Sequence, residues 1–185
     1  MKEHTFSGHD TFVLRHGWLK KIYDRLQDIG DKQQEKENES QVTVASSSEL
    51  FEPERAMSAF GVGKNMVRAM RYWALATNFF TCADDKTFRA TELGELMLGN
   101  PRSGSASGLD PYFENPASLW ITHWEIATNP LLCTAWDFAF SSFNRTVFTK
   151  GSMVSSLSTE IQEKEWKASL GSIEKDVSCI LQMYC

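Results

Sequence analysis

Phe60-Gly-Val-Gly-Lys-Asn-Met-Val-Arg-Ala-Met-Arg-Tyr-Trp-Ala-Leu-Ala-Thr-Asn-Phe-Phe80 is the stretch on which the reading of this chain turns. Gly61 and Gly63 bracket a tight turn, where the missing Cβ permits positive φ. The run that follows contains neither Pro nor Gly. On a helical wheel of about 100° per residue, Met66, Val67, Met70, Trp73 and Ala74 share one arc. Lys64, Asn65, Arg68, Arg71 and Tyr72 share the opposite arc, and no acidic residue interrupts it. One face suits a core and the other a polyanion. A helix of this kind, entered from a short helix through a Gly-containing turn, has the form of a helix-turn-helix recognition element. An ordinary solvated amphipathic helix has the same pattern, so the flanking sequence must decide.

Upstream, Leu50-Phe51-Glu52-Pro53 opens a helix, with Pro53 in its first turn and Ala56, Met57 and Phe60 on its buried side. Downstream, Phe-Phe-Thr-Cys and Thr-Phe-Arg-Ala flank the polar turn Ala-Asp-Asp-Lys and predict a hairpin. Lys86 and Arg89 lie on or beside it. Thr91 caps a further short helix, Glu92–Leu98. Helix, helix, hairpin, helix is the order of a winged helix-turn-helix over residues 49–100, with the hairpin as the wing. Winged helices also serve as protein-interaction modules, so the order alone does not assign a function.

The rest of the chain reads as further, mainly helical, structure. Trp18, Leu19, Ile22, Leu26 and Ile29 predict a helix over about 18–29, so residues 1–30 read as a segment and helix packed on the core. Residues 31–48, poor in apolar side chains, predict a flexible polar, acidic insertion, with a brief strand near Val42 and Val44. Residues 101–110 read as a linker. Asn115-Pro116 opens a helix whose inward side is expected to carry Leu119, Trp120, His123, Trp124 and Ala127. Asn129-Pro130 breaks it, and a second helix carries Trp136, Phe140 and Phe143. Residues 110–144 thus read as an aromatic helical hairpin. Residues 145–185 hold two more helical segments, about 152–163 and 169–184. Within the latter, Ser-Ile-Glu-Lys-Asp-Val resembles the signature of a second helix-turn-helix recognition helix. That unit is incomplete at Cys185, which leads us to expect a truncated or frameshifted C-terminus.

The net charge of −5 excludes a protein coated in cations. The charge is uneven, however: Asp31, Glu35, Glu37, Glu39, Glu49, Glu52 and Glu54 precede a helix that carries cations only. Cys82, Cys133, Cys179 and Cys185 have no CxxC or Cys–His spacing, so reduced thiols are expected rather than a zinc site. No apolar run is long enough to span a membrane and the N-terminus begins no signal peptide; a cytoplasmic protein is expected. His9, Asp10 and Arg15, with His16 nearby, form a polar cluster in the N-terminal segment. Hydrogen bonding that fixes this segment is a simpler reading than chemistry, because neither a nucleophile nor ligands at metal-binding separations accompany them. No metal, cofactor or catalytic residue is expected.

Several stretches resemble the prokaryotic domain-of-unknown-function family 4007. They are Phe6-Ser-Gly-His-Asp-Thr-Phe-Val-Leu-Arg-His-Gly-Trp18-Leu-Lys-Lys, Gly61-Val-Gly-Lys-Asn-Met-Val-Arg-Ala-Met-Arg-Tyr-Trp-Ala74, Asp110-Pro-Tyr-Phe-Glu-Asn-Pro-Ala-Ser-Leu-Trp120 and His123-Trp124. Members are typically longer, and the polar stretch Asp31–Ser48 is longer than their usual connection. Their genes often lie beside those for sulfur-transferring and ATPase proteins of DNA phosphorothioation systems, so the resemblance implies a role in DNA sulfur modification or a defence built on it. It supplies no catalytic residues. The leading expectation is a non-enzymatic protein that binds double-stranded DNA through Lys64, Asn65, Arg68, Arg71 and Tyr72, with Lys86 and Arg89 on the wing. It would place the modifying machinery or regulate its genes. The alternative is a protein–protein adaptor that docks sulfur-modification proteins without DNA affinity of its own. An enzyme built on His9 and Asp10 is the third and weakest reading.

Overall fold

The computed structural model describes residues 4–15, 17–37, 44–84, 86–99 and 108–185, with the backbone alone over residues 33–37. The chain is mainly helical, with one small three-stranded antiparallel sheet.

Helix α1 (Trp18–Glu37) buries Trp18, Leu19, Ile22, Leu26 and Ile29, the stripe read from the sequence. It runs well past Ile29, into the segment expected to be a flexible insertion. Gln, Glu and Lys are good helix formers even where nothing is buried, so the lack of apolar residues was no evidence against helix there. Residues 38–43 of that expected insertion lie outside the described residues. Strand β1 (Val44–Ser46) follows, then α2 (Ser47–Phe51) and α3 (Pro53–Phe60). One helix was expected where two are found. Glu52, held out of the helical region by the following proline, breaks them apart, and its side chain caps α3 by accepting from Arg55 N–H.

Gly61 ends α3 in the left-handed region, φ 67°, with its N–H donating to Met57 O. Gly63 has ordinary extended geometry, so only one of the two glycines needs its freedom. Helix α4 (Lys64–Ala76) buries Val67, Ala69, Met70, Trp73 and Ala74, while Met66 is half-buried. Strands β2 (Phe80–Ala83) and β3 (Thr87–Ala90) form the expected hairpin, and β1 pairs with the far side of β3 in the order β1-β3-β2. Phe80 and Phe88 of the hairpin stack on each other, and Phe51 meets Phe88 edge to face. Thr91 caps α5 (Glu92–Leu98), its hydroxyl accepting from Gly94 N–H. Gly94 has no alternative, since a Cβ there would lie 2.1 Å from Phe79 O.

Helix α6 (Pro116–Ala127) begins at the Asn115 cap and the proline, as the sequence predicts. Its inward face is not the aromatic one. Ser118, Thr122, Ile126 and Ala127 are buried, whereas Trp120 is 69% and Trp124 67% exposed. Both faces are substantially apolar, so periodicity could not choose between them. The polar inward positions are satisfied locally, Ser118 Oγ donating to Asp110 Oδ2 and Thr122 Oγ1 to Ser118 O. The chain continues through α7 (Thr134–Asp137) into a π-helical turn, Phe138–Ser142. Residues 143–149 are irregular, and α8 (Lys150–Glu163) packs on α9 (Leu170–Tyr184).

Candidate nucleic-acid interface

The exposed side of α4 begins at a helix terminus without a side-chain cap and with no acidic residue in its first turn. The partial positive charge of the free N–H groups there adds to that of Lys64. Lys64, Asn65 and Arg68 are exposed. Arg68 Nη2 donates to Asn65 Oδ1 at 3.0 Å, and its Nη1 stands 3.5 Å from Asp10 Oδ2. Arg71, one turn on, is half-buried, with Nε donating to Ser47 Oγ at 3.3 Å. Ser47 N–H in turn donates to Lys86 O at 2.6 Å. A single serine at the start of α2 thereby joins Arg71 of α4 to the backbone of the hairpin turn. Lys86 and Arg89 are both exposed there. Sequence reasoning did not find Ser47, because its two partners are distant in the chain.

Tyr72 stands apart from the set to which the sequence assigned it. Its hydroxyl donates to Leu132 O at 2.8 Å and lies 3.5 Å from Cys133 Sγ. Burial, reinforced by Cys133 and Asp176, holds the phenol well above its ordinary pKa. The cause is the N-terminal segment, which lies against this side of α4: a Cβ on Gly8 would fall 2.5 Å from the Tyr72 ring. Tyr72 is therefore a packing residue. Tyr72→Phe should lower stability by about 1 kcal/mol through the lost hydrogen bond, as urea denaturation would report.

His9 is fully buried. Its Nε2 lies 2.7 Å from Asp176 Oδ1, and Ser7 N–H donates to the same oxygen at 2.8 Å. Trp73, Trp136 and Tyr72 surround the imidazole with ring centroids 5.6–6.1 Å away. This contact ties the N-terminal segment to α9. The Asp of the Ser-Ile-Glu-Lys-Asp-Val stretch, Asp176, points into the core as its partner. Burial pushes the Asp176 carboxyl up, against the lowering effects of the His9 hydrogen bond and charge and of Ser7 N–H. Nearby Cys133 and Cys179 are buried free thiols raised to about 12 by desolvation, which leaves them unreactive. Asp10 faces Arg68, and Arg15 is exposed over the Trp18 ring. The cluster of His9, Asp10 and Arg15 is thus not one site, and His16 lies outside the described residues. Among the described residues, no group of three or more His, Cys, Asp or Glu is placed to hold a metal ion, and no helix is long and apolar enough to cross a membrane.

A mainly helical chain with a small sheet, a cation-bearing helix and a buried His–Asp clasp is the class that the geometry defines. The chain belongs to the family described as Protein of unknown function (DUF4007), whose model matches residues 6–185. It is similar to a magnesium ion-bound crystal structure of SspB, with 30% identity and a TM-score of 0.76 over 97% of this chain and 49% of that one. A second SspB crystal structure gives 29% identity and a TM-score of 0.75 over the same shares. The chain therefore spans about half the length of these solved relatives. A comparison with curated proteins gives no match.

Proposed function

We propose that this chain is a DNA-binding component of a prokaryotic DNA phosphorothioation or related defence system. In this reading α3 and α4 form a helix-turn-helix, with β2–β3 as its wing. The observation that carries the proposal is the single surface formed by Lys64, Arg68 and Arg71 on α4 and linked through Ser47 to Lys86 on the hairpin turn. The three-residue turn Gly61–Gly63 and the uncapped start of α4 suit insertion against a phosphate backbone. The family resemblance supports the phosphorothioation setting. The protein's part would be to place the modifying machinery on DNA or to regulate its genes.

The test is a fluorescence-anisotropy titration of duplex DNA at several salt concentrations. Wild type should bind with marked salt dependence. Arg68→Ala/Arg71→Ala should bind more weakly, with the slope of log K against log salt shallower by about one unit per lost phosphate contact. Both side chains are outside the core, so thermal melts should move little. Equal binding by the two proteins would remove this face as a DNA site.

One observation favours the adaptor reading. Trp120 and Trp124 on α6, with Leu119 and Phe140 beside them, leave an apolar surface in solvent, the kind that marks a protein partner. Co-purification with sulfur-modification proteins, without DNA affinity at low salt, would establish that reading in place of the first.

A further inference from the structure

We propose that Asp10 is a positioning residue for sequence recognition, aiming Arg68 at the edge of a guanine rather than at a phosphate. This rests on α4 being the helix that meets the duplex. Arg68 is held from two sides. Asn65 Oδ1 accepts from Nη2, and Asp10 Oδ2 lies 3.5 Å from Nη1. That carboxylate oxygen is buried and makes no hydrogen bond among the described residues, which leaves the guanidinium as its partner.

Asp10 is not a loose rim charge. It follows His9, whose buried contact with Asp176 anchors the loop, and Ser7 N–H is bound to the same carboxylate. Ser7, Asp10 and Thr11 all take the left-handed conformation, at φ 58°, 49° and 70°. Non-glycine residues hold that conformation only where the surroundings enforce it. The loop is thus a fixed mount that carries one carboxylate to the side of α4.

The chemistry follows from the charge. A phosphate contact needs a cation and tolerates many orientations. A carboxylate beside Arg68 repels a phosphate approaching the same guanidinium, while base edges carry no net charge. The Nη2 bond to Asn65 and the Asp10 charge beside Nη1 also bias the direction of the guanidinium and leave its remaining donors as a fork. Guanine O6 and N7 accept such a fork side by side in the major groove. Lys86 is a point charge on a turn and suits the backbone.

The experiment is selection from a randomised duplex library by the full 185-residue chain, with sequencing of the bound fraction. Wild type, Asp10→Asn and Arg68→Ala would be compared, and each titrated against one fixed unselected duplex. Asn tolerates the left-handed backbone as Asp does, so Asp10→Asn removes the charge without refolding the loop. Wild type should prefer guanine at one position by roughly 5- to 150-fold. Asp10→Asn should lose most of that preference at that position alone, with affinity for the unselected duplex unchanged or higher. Arg68→Ala should lose the same preference. Selection of the same guanine by Asp10→Asn, or the absence of any guanine preference in wild type that nonetheless binds duplex, would overturn the assignment of Asp10 while leaving the DNA-binding reading intact. A wild type that binds no duplex at all would defeat both.

Discussion

Asp176→Ala should cost about 2–6 kcal/mol of folding stability, about 1–3 kcal/mol for each of the two buried groups left without a hydrogen-bond partner. Asp176 is 2% exposed and His9 is fully enclosed. Deleting the carboxylate leaves both His9 Nε2 and Ser7 N–H without their acceptor in a site that water does not reach. It also frees the N-terminal loop from α9. Asp176→Asn should cost much less, because its carbonyl oxygen can accept both bonds. The pair of variants has a pH signature. Burial raises the Asp176 carboxyl pKa in the folded chain, so between the unfolded and folded values the native state holds the extra proton. The contribution of this group is then fully present below the ordinary carboxylate pKa and lost as pH rises through the raised value. Wild type should lose stability relative to Asp176→Asn across that interval and run parallel to it above. Urea denaturation at a series of pH values checks both points; a cost below about 1 kcal/mol for Asp176→Ala would be too small for two buried hydrogen bonds lost together.

Trp73→Ala should be equally severe, about 3–5 kcal/mol. Trp73 is fully buried at the junction of three parts of the chain. Its indole N–H donates to Phe12 O of the N-terminal segment at 2.8 Å, its ring meets Trp136 of α7 edge to face at 5.4 Å, and the His9 imidazole lies 6.1 Å away. Removing it opens a cavity and strands Phe12 O. Because the same aromatic box seats His9, Trp73→Ala and Asp176→Ala should not add: the double variant should lose less than the sum. Strict additivity in chemical denaturation would mean that the box and the clasp are separate units.

These two positions also mark what could be read from the chain beforehand and what could not. Trp73 belonged to a helical stripe within one short segment, and local periodicity was enough to bury it. The hairpin, the Thr91 cap and the Asn115-Pro116 helix start were equally local. The partner of His9 lies 167 residues away, and no spacing rule reaches so far. Tyr72 was misassigned for the same reason: its side of the α4 wheel is polar by composition, but the N-terminal segment covers it. Helix α6 failed differently. With apolar residues around most of its circumference, the small Ser118 and Thr122 won the buried side because local acceptors satisfy them. Of the candidate interface, the α4 cations and the hairpin cations were legible separately; their link through Ser47 was not.

Hydrogen–deuterium exchange of the full chain with and without duplex DNA tests the proposed DNA contact and its place on the fold. The first amides of α4, Lys64 to Met66, precede the first backbone bond of the helix, Val67 N–H to Gly63 O, so they should exchange quickly in the free protein. Duplex DNA at low salt should slow exchange there and around Lys86, and added salt should reverse it. Protection confined to α6, or none on α4 and the hairpin while DNA is bound, would contradict the account.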